Sequence, residues 1–362
     1  MQSDIVHIIS NAEQILTNLL WPDGPTCPNC KSHQHYKTKD GRYLCKDCHR
    51  LYSIKTGTIF QNSKIPLSKW MIALYLTLVN NGISSYKLAR HIQTSQPTAY
   101  YILLKLRFLF TQSDTILTNQ IAVDEEYVGG SWAKMPLSKR QFLIKQYKLP
   151  QRPKTTKEKI AIANTVNARY KQPVLGMNDG SKLILRAIPN PVYREDVVTV
   201  FNKHSQLFGT SVSDCSKLYK DWSEDTGYTM TYNNHSKGQF VSEDGSSSNR
   251  IEGSFSQFKR NFLYNHCFTS KRLIQLYLDE FCFRWNNRHL SIADQMKQAL
   301  LHCHQVITRS VLVNYNSLDE FPIRTAEWFD PYEYFKELGY LIDKIEVGGV
   351  VYRREEFGSP RY

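Results

Sequence analysis

The spacing of the first four cysteines constrains this chain more than any other feature. "CPNC" (Cys27, Cys30) and "CKDC" (Cys45, Cys48) are two C-x2-C pairs separated by about fifteen residues. Each pair forms a tight knuckle that presents two thiolates, and two such pairs complete a closed tetrahedron around zinc. The segment between them, "KSHQHYKTKDGRY", carries the "DG" turn of a small hairpin. His33, His35 and His49 lie close by, but four thiolates already fill the site. A closed site is structural: the metal replaces a core that so short a segment cannot build. The other cysteines, Cys215, Cys267, Cys282 and Cys303, follow no spacing. They read as buried thiols in a reducing compartment, not as a disulfide framework.

At 362 residues the chain has room for two or three domains with their own cores. Its net charge of +13 favours a polyanionic partner, nucleic acid before membrane. No apolar run approaches the roughly 20 residues of a membrane span, and "MQSDIVHIIS" lacks the pattern of a signal peptide. After the ribbon, "LSKWMIALYLTLVNNG" has helical apolar spacing and a glycine stop at Gly82. "SSYKLARHIQTSQPTAYYILLKLRFLF" then reads as helix, turn, helix, with Ser84 or Ser85 capping the first helix and Ser95 the second, ahead of Pro97. This is helix-turn-helix grammar, although a plain helical hairpin has the same outline. As a DNA reader its second helix would offer Gln96, Thr98, Tyr101 and Lys105, while Ile102, Leu103 and Leu106 pack.

From about residue 118 the pattern turns to strands: "QIAVDEEYV", "KIAIANTVN" and "SKLILRAIPN". "REDVVTVFNKHS" follows as a helix, "GTSVSDCSKLY" as a strand ending at Asp214, and "YTMTYNN" as a further strand. This order predicts an α/β domain of ribonuclease-H-like type, with a mixed five-stranded sheet and helices. In that topology the fourth strand lies beside the first, which makes Asp124 and Asp214 neighbours. A third carboxylate comes from "SSSNRIEGSFSQFKRNF", where Ile251, Phe255, Phe258 and Phe262 form the buried stripe. Asn249, Glu252, Ser256 and Lys259 form a polar face beside it, so Glu252 can reach the same edge. Three converging carboxylates suit Mg²⁺ or Mn²⁺, and two such ions about 4 Å apart promote in-line phosphoryl displacement. Lys259 and Arg260 suit a phosphate backbone. Strand alternation puts Glu125 on the face opposite Asp124 as a structural hydrogen-bonding partner, and puts Glu126 on the same face further out.

The double C-x2-C ribbon, "VDEEYVGG", "SDCSKLY" and "NHSKGQFVSEDGSSSNRIEGSFSQFKR", running on into "LYLDEFCFRWNNR", resemble the DDE transposases of bacterial insertion sequences. The resemblance is to the insertion-sequence family 1595 type, relatives of the Merlin transposases, and spans roughly residues 20 to 290. It implies Asp124, Asp214 and Glu252 as the catalytic, magnesium-binding residues. Asn249, Asn234 and His235 then shape the site, and His266 stands in a loosely matched His-rich loop, either near phosphate or as a packing or capping residue. Two positions depart from the family's pattern: Ser247 stands where a histidine is expected, and Phe255 where a tryptophan is expected.

The expected organisation is an N-terminal helix (1–20), a zinc ribbon (21–56), a helix-turn-helix domain (57–113), a ribonuclease-H-like DDE domain (118–290) and an accessory lobe (291–362). A basic insertion at 131–158 carries Lys139, Arg140, Lys145, Lys148, Arg152, Lys154 and Lys157, either as a DNA-backbone contact or as a solvated tether. In the last lobe "DQMKQALLHCHQVIT" and "WFDPYEYFKELGYL" read as helices, and "IDKIEVGGVVYRREEF" as a hairpin. The resulting expectation is a cytoplasmic, nucleoid-associated transposase. It binds terminal inverted repeats and target DNA as a dimer or larger assembly, without membrane contact. Two other readings fit the same residues: an inactive or domesticated DNA-binding derivative, and a ribonuclease-H-like nuclease that cuts without joining.

Overall fold

The computed structural model describes residues 6–7, 9–79, 81–111, 114–129, 132, 136–190, 192–205, 211–214, 230–233, 247–266, 269–321, 344–347 and 350–353. The chain divides into two compact units. Met1–Val128 with Gln172–Phe321 form the first, and Gly129–Lys171 with Pro322–Tyr362 form the second.

The first unit begins with α1 (Ala12–Leu20), followed by an antiparallel meander of β1 (His35–Lys37), β2 (Tyr43–Cys45) and β3 (Leu51–Tyr52). The Asp40–Gly41 turn joins the first two strands, closed by the Thr38 amide donating to the Arg42 carbonyl at 2.8 Å. Tyr43 and Tyr52 stack, and Trp21 meets both edge-on. α2 (Leu67–Val79) buries Leu67, Trp70, Met71, Ala73, Leu74, Thr77 and Leu78, more than one face, because both α1 and later helices pack on it. Ser84 caps α3 (Ser85–His91) by accepting the Lys87 amide. Ser95 caps α4 (Gln96–Arg107) by accepting the Thr98 amide, with Pro97 in the first turn. Ile102, Leu103 and Leu106 are buried, as their spacing predicts.

β4 (Ile121–Val128) opens the main sheet. In the second unit follow α5 (Leu137–Tyr147) and α6 (Thr156–Tyr170), which share a small core of Leu143, Leu149 and Ile162. The first unit resumes with β5 (Gln172–Asn178), β6 (Leu183–Ala187), α7 (Arg194–His204), β7 (Ser211–Asp214) and β8 (Met230–Asn233). It ends with α8 (Asn249–Asn265), α9 (Ile274–Asn286), α10 (Ile292–Leu301) and α11 (Arg309–Asn314). In the second unit β9 (Lys344–Val347) and β10 (Val350–Arg353) pair antiparallel, the hairpin expected around "GG". The helix expected over 328–341 lies outside the described residues.

The main sheet is mixed and five-stranded, in the order β6-β5-β4-β7-β8. β4, β5 and β6 pair antiparallel, while β7 runs parallel to β4 and β8 parallel to β7. The second strand is not "KIAIANTVN", which lies within α6. Its alternation is deceptive: Ile162 is buried but Ile160 is 54% exposed, and its alanines favour a helix. The true strand, "QPVLGMN", is buried at every position and so shows no alternation. Its polar ends are satisfied inside. Gln172 Nε2 donates to the carbonyls of Pro173 and Ile188, and Asn178 Nδ2 donates to Ser254 Oγ at 2.9 Å.

One core cluster runs from Ala12 to Leu312 and takes in α1, α2, α4, one side of the sheet, and α8 to α11. At its centre lies a buried charge triad. Arg107 Nε of α4 sits 2.8 Å from Glu280 Oε2 of α9, and Arg284 Nη1 sits 2.7 Å from Glu280 Oε1, with the Glu280 side chain only 3% exposed. Arg107 also lies 3.9 Å over the Tyr277 ring, and Arg284 donates to the Thr77 carbonyl at the end of α2. Burial pushes the Glu280 carboxyl up, but Arg107 and Arg284 outweigh it and hold it below the usual range. Gly82, at φ +94°, lets the chain after α2 press on this triad; a Cβ there would stand 3.0 Å from Arg284 Nη1 and from Glu280 Oε1. Glu280→Ala would strand two buried guanidiniums. It is expected to cost about 3–5 kcal/mol of unfolding free energy, read as a lowered denaturant midpoint.

Candidate active site and zinc centre

The four ribbon cysteines converge. Their sulfurs all lie within 4.8 Å of one another, with Cys27 to Cys48 at 3.6 Å and Cys30 to Cys45 at 3.5 Å. A tetrahedron with zinc–sulfur bonds of about 2.3 Å has edges of about 3.8 Å, so these thiols suit zinc with sulfur shifts of no more than about 1 Å. Cys27 and Cys45 are buried against Tyr52, whereas Cys30 is exposed. The later Cys282 and Cys303 are buried free thiols; Cys215 and Cys267 lie outside the described residues.

The acidic edge is built on β4. Ile121 and Ala122 pair in parallel with Ser211 and Val212, so Asp124 and Asp214 stand level, each two residues beyond the last pair. Across the antiparallel ladder Asp124 faces Gly176 of β5. α8 crosses the sheet there: a Cβ on Gly176 would meet Ile251 Cδ1 and Phe255 Cζ, each at 2.6 Å. Only glycine lets the helix come this close. The same crossing continues two residues either way along β4. Ser254 bonds Asn178, the partner of Ala122, and Lys259 Nζ reaches Glu126 Oε2 at 2.5 Å. Directly opposed residues share a face, so α8 covers the face that carries Asp124 and Glu126. Glu252 lies seven residues before Lys259, two turns back along the same stripe.

Local bonds orient these groups. Asp124 Oδ1 accepts its neighbour's amide, that of Glu125, at 2.8 Å. Ser248, fully buried, donates to Glu252 Oε1 at 3.0 Å, and Ser247 Oγ accepts the Asn249 amide at 3.1 Å. Ser247, which stands where a histidine is expected, thus braces the turn entering the helix, while the N-cap residue, Ser248, makes no side-chain cap bond. Glu125 lies on the Tyr127 side of the strand: burial first, and then the Glu125 charge, push the Tyr127 phenol up. Asn249 is exposed at the first position of α8. His235 and Asn234 lie outside the described residues. The role of Ser248 was missed from sequence, although its i,i+4 spacing to Glu252 is visible in "SNRIE".

The positions expected to meet DNA are distributed differently. Lys105 is buried, and its ammonium donates to the Ile59 carbonyl at 3.1 Å while lying 5.2 Å from the Tyr101 ring centroid. Burial pulls its pKa down. It is therefore an internal strut rather than a surface cation. Gln96 bonds Ser85 across the helix pair at 2.8 Å, and Thr98 meets Ser95 at 2.9 Å. In the second unit, burial also lowers the Lys139 pKa, and Arg140 is half-buried. Arg260 is exposed on α8. His266 sits between the Phe262 and Tyr277 rings, at 5.9 and 4.8 Å. Burial, and then the Arg107 charge, lower its pKa to about 4, with Arg284 acting the same way and Glu280 opposing.

Two family models match the chain. The ISXO2-like transposase domain matches residues 116–286, from the approach to β4 to the end of α9, and the transposase zinc-ribbon domain of IS1595 type matches residues 10–51. Together they cover more than half of the sequence and contain both clusters described above. The chain belongs to the IS1595 transposase family. A relative from Halobacterium salinarum, described as an uncharacterized protein in transposable element ISH50, is 26% identical over 279 residues, covering 75% of this chain and 89% of the relative.

Two outcomes follow for this IS1595-family chain. Purified protein is expected to carry one zinc per chain by elemental analysis, and Cys27→Ser or Cys45→Ser to abolish it with loss of protease resistance in 21–56. His266 is neutral in the folded chain but protonates near its ordinary 6.5 when unfolded. Its contribution is therefore intact above pH 6.5 and lost as pH falls towards 4, by up to about 3 kcal/mol. His266→Phe is expected to flatten the unfolding midpoint over that window.

Proposed function

We propose that this chain is a DDE-type DNA transposase that binds the terminal inverted repeats of its element, hydrolyses a phosphodiester at the element end and joins the exposed 3′-hydroxyl to target DNA. The observation that carries this reading is the placement of Asp124 and Asp214 at one level of two adjacent parallel strands, with α8 crossing beside them at Gly176. The strand order β6-β5-β4-β7-β8 supports the ribonuclease-H-like reading of this domain. The two capped helices α3 and α4 support the helix-turn-helix reading. With Lys105 internal, the exposed side of that pair still offers Thr98 and Tyr101 with Tyr86, Lys87, Arg90 and His91.

Asp124, Asp214 and Glu252 are hard oxygen donors of the kind that hold Mg²⁺ or Mn²⁺. When bound, such ions supply Lewis-acid activation of the attacking oxygen and stabilise the leaving oxygen of an in-line displacement. Ser248 fixes the orientation of the Glu252 carboxylate, and the Asp124 carboxylate is steadied by the amide of Glu125. Lys259 neutralises Glu126, which keeps a fourth negative charge from weakening the approach of phosphate. Joining two element ends calls for a dimer or larger assembly on DNA, in the cytoplasm where the nucleoid lies.

The test uses purified protein, Mg²⁺ or Mn²⁺, and a duplex cut from the end of the element. The expected result is cleavage and strand joining, both lost in Asp124→Asn and in Asp214→Asn while duplex binding persists. Cleavage without joining would instead make the protein a nuclease, and binding alone an inactive regulator.

A further inference from the structure

We infer that the exposed ridge of α8 and the outer face of α3 form one phosphate track. It carries the DNA backbone from the N-terminal helix pair to the acidic edge. The inference rests on the transposase reading and adds residues to it.

Ser256, Arg260 and Tyr264 follow one another at four-residue spacing along α8, all on its exposed side. Tyr264 is 75% exposed, an unusual position for so large a ring at the end of a helix whose phenylalanines are buried. Its partner is Lys87, 177 positions earlier in the sequence. The Lys87 ammonium lies 4.6 Å from the Tyr264 ring centroid and 3.3 Å from its hydroxyl. An exposed lysine is ordinarily a mobile charge. Here the ring face and the phenol hold it at one place, at the junction of α3 and α8. Tyr86 (70% exposed) and Arg90 flank it on the exposed side of α3.

The charge along this line has one sign. After Glu252, α8 contains no carboxylate, and α3 contains none. From Glu252 to Tyr264 is twelve residues, roughly 18 Å of helix at 1.5 Å per residue. That equals roughly five base-pair steps of 3.4 Å. An acid-free ridge of this length, carrying Arg260 and ending on the restrained Lys87 ammonium, suits a duplex backbone in charge and span. The Tyr264 role is to position Lys87, and its hydroxyl adds a neutral hydrogen-bond group beside the charge.

Backbone contacts are independent of base sequence, so a mixed-sequence 30-base-pair duplex serves as the probe for the full-length protein. Binding is measured by fluorescence anisotropy across a salt series. Lys87→Gln and Arg260→Gln are each expected to reduce the slope of log K against log salt by about 0.9, which corresponds to about eightfold weaker binding at 0.1 M salt. Tyr264→Ala is expected to lower affinity by releasing Lys87, and Tyr264→Phe, which keeps the ring, to restore most of it. Lys297→Gln, an exposed lysine on α10 paired with Asp294, is the control and is expected to leave the slope unchanged. If the wild-type protein binds the duplex but Lys87→Gln and Arg260→Gln keep its slope, the track is wrong and the transposase reading stands. If the wild-type protein does not bind the duplex, both fail.

Discussion

Glu280, clasped between Arg107 and Arg284, is the joint on which the first unit depends. A carboxylate taken out of water this completely is tolerable only because two guanidiniums accompany it. Those guanidiniums come from α4 and α9, and the loop after α2 presses on them through Gly82. Replacing the triad with apolar residues of equal volume would retain cohesion, but it would not fix the angle between helices as a directed charge pair does. The N-terminal helices are therefore seated on the sheet-bearing part of the chain through a polar lock inside one continuous apolar core. For a protein read as bringing a bound DNA end to an acidic edge, that seating sets the distance between recognition and chemistry.

A second close fit governs the edge itself. Gly176 opposite Asp124 removes the one Cβ that would hold α8 away from the sheet. Ile251 and Phe255 fill the space, and the helix's polar stripe is carried over the β4 carboxylates. Lys259 on Glu126 and Ser254 on Asn178 tie the helix at two further points. The Lys259 pair is more than a third exposed on the lysine side and contributes little stability by itself. Its value is in register, since a helix rotated by one residue would lose both ties.

The ribbon was legible because metal ligation needs fixed spacing, and the spacing is in the primary sequence. The amphipathic α8 was legible because it keeps a clean helical period, and β4 because an apolar run ends in a block of carboxylates; the pairing of β4 with β7 was expected from the order of the elements, not from any local period. "QPVLGMN" was not, because a strand buried on both faces has no alternation, and "KIAIANTVN" imitated a strand while folding as a helix. Lys105 is a local failure of the same kind: helical spacing distinguishes faces, but the carbonyl of Ile59 that draws its ammonium inward is 46 positions away. The Arg107–Glu280 pair and the Lys87–Tyr264 contact were equally hidden, since each joins segments with no shared local pattern.

The pairing of β4 with β7 has a temporal consequence. Parallel neighbours need a long crossover, and here some eighty residues intervene between the strands before α8 is even reached. During synthesis the zinc ribbon and the helix pair leave the ribosome well ahead of Asp214, Glu252 and Glu280. Arg107 then has to wait for its partner, so the early segment cannot complete its core alone. The acidic edge is complete only after most of the chain has emerged, so fragments and unfinished copies lack it.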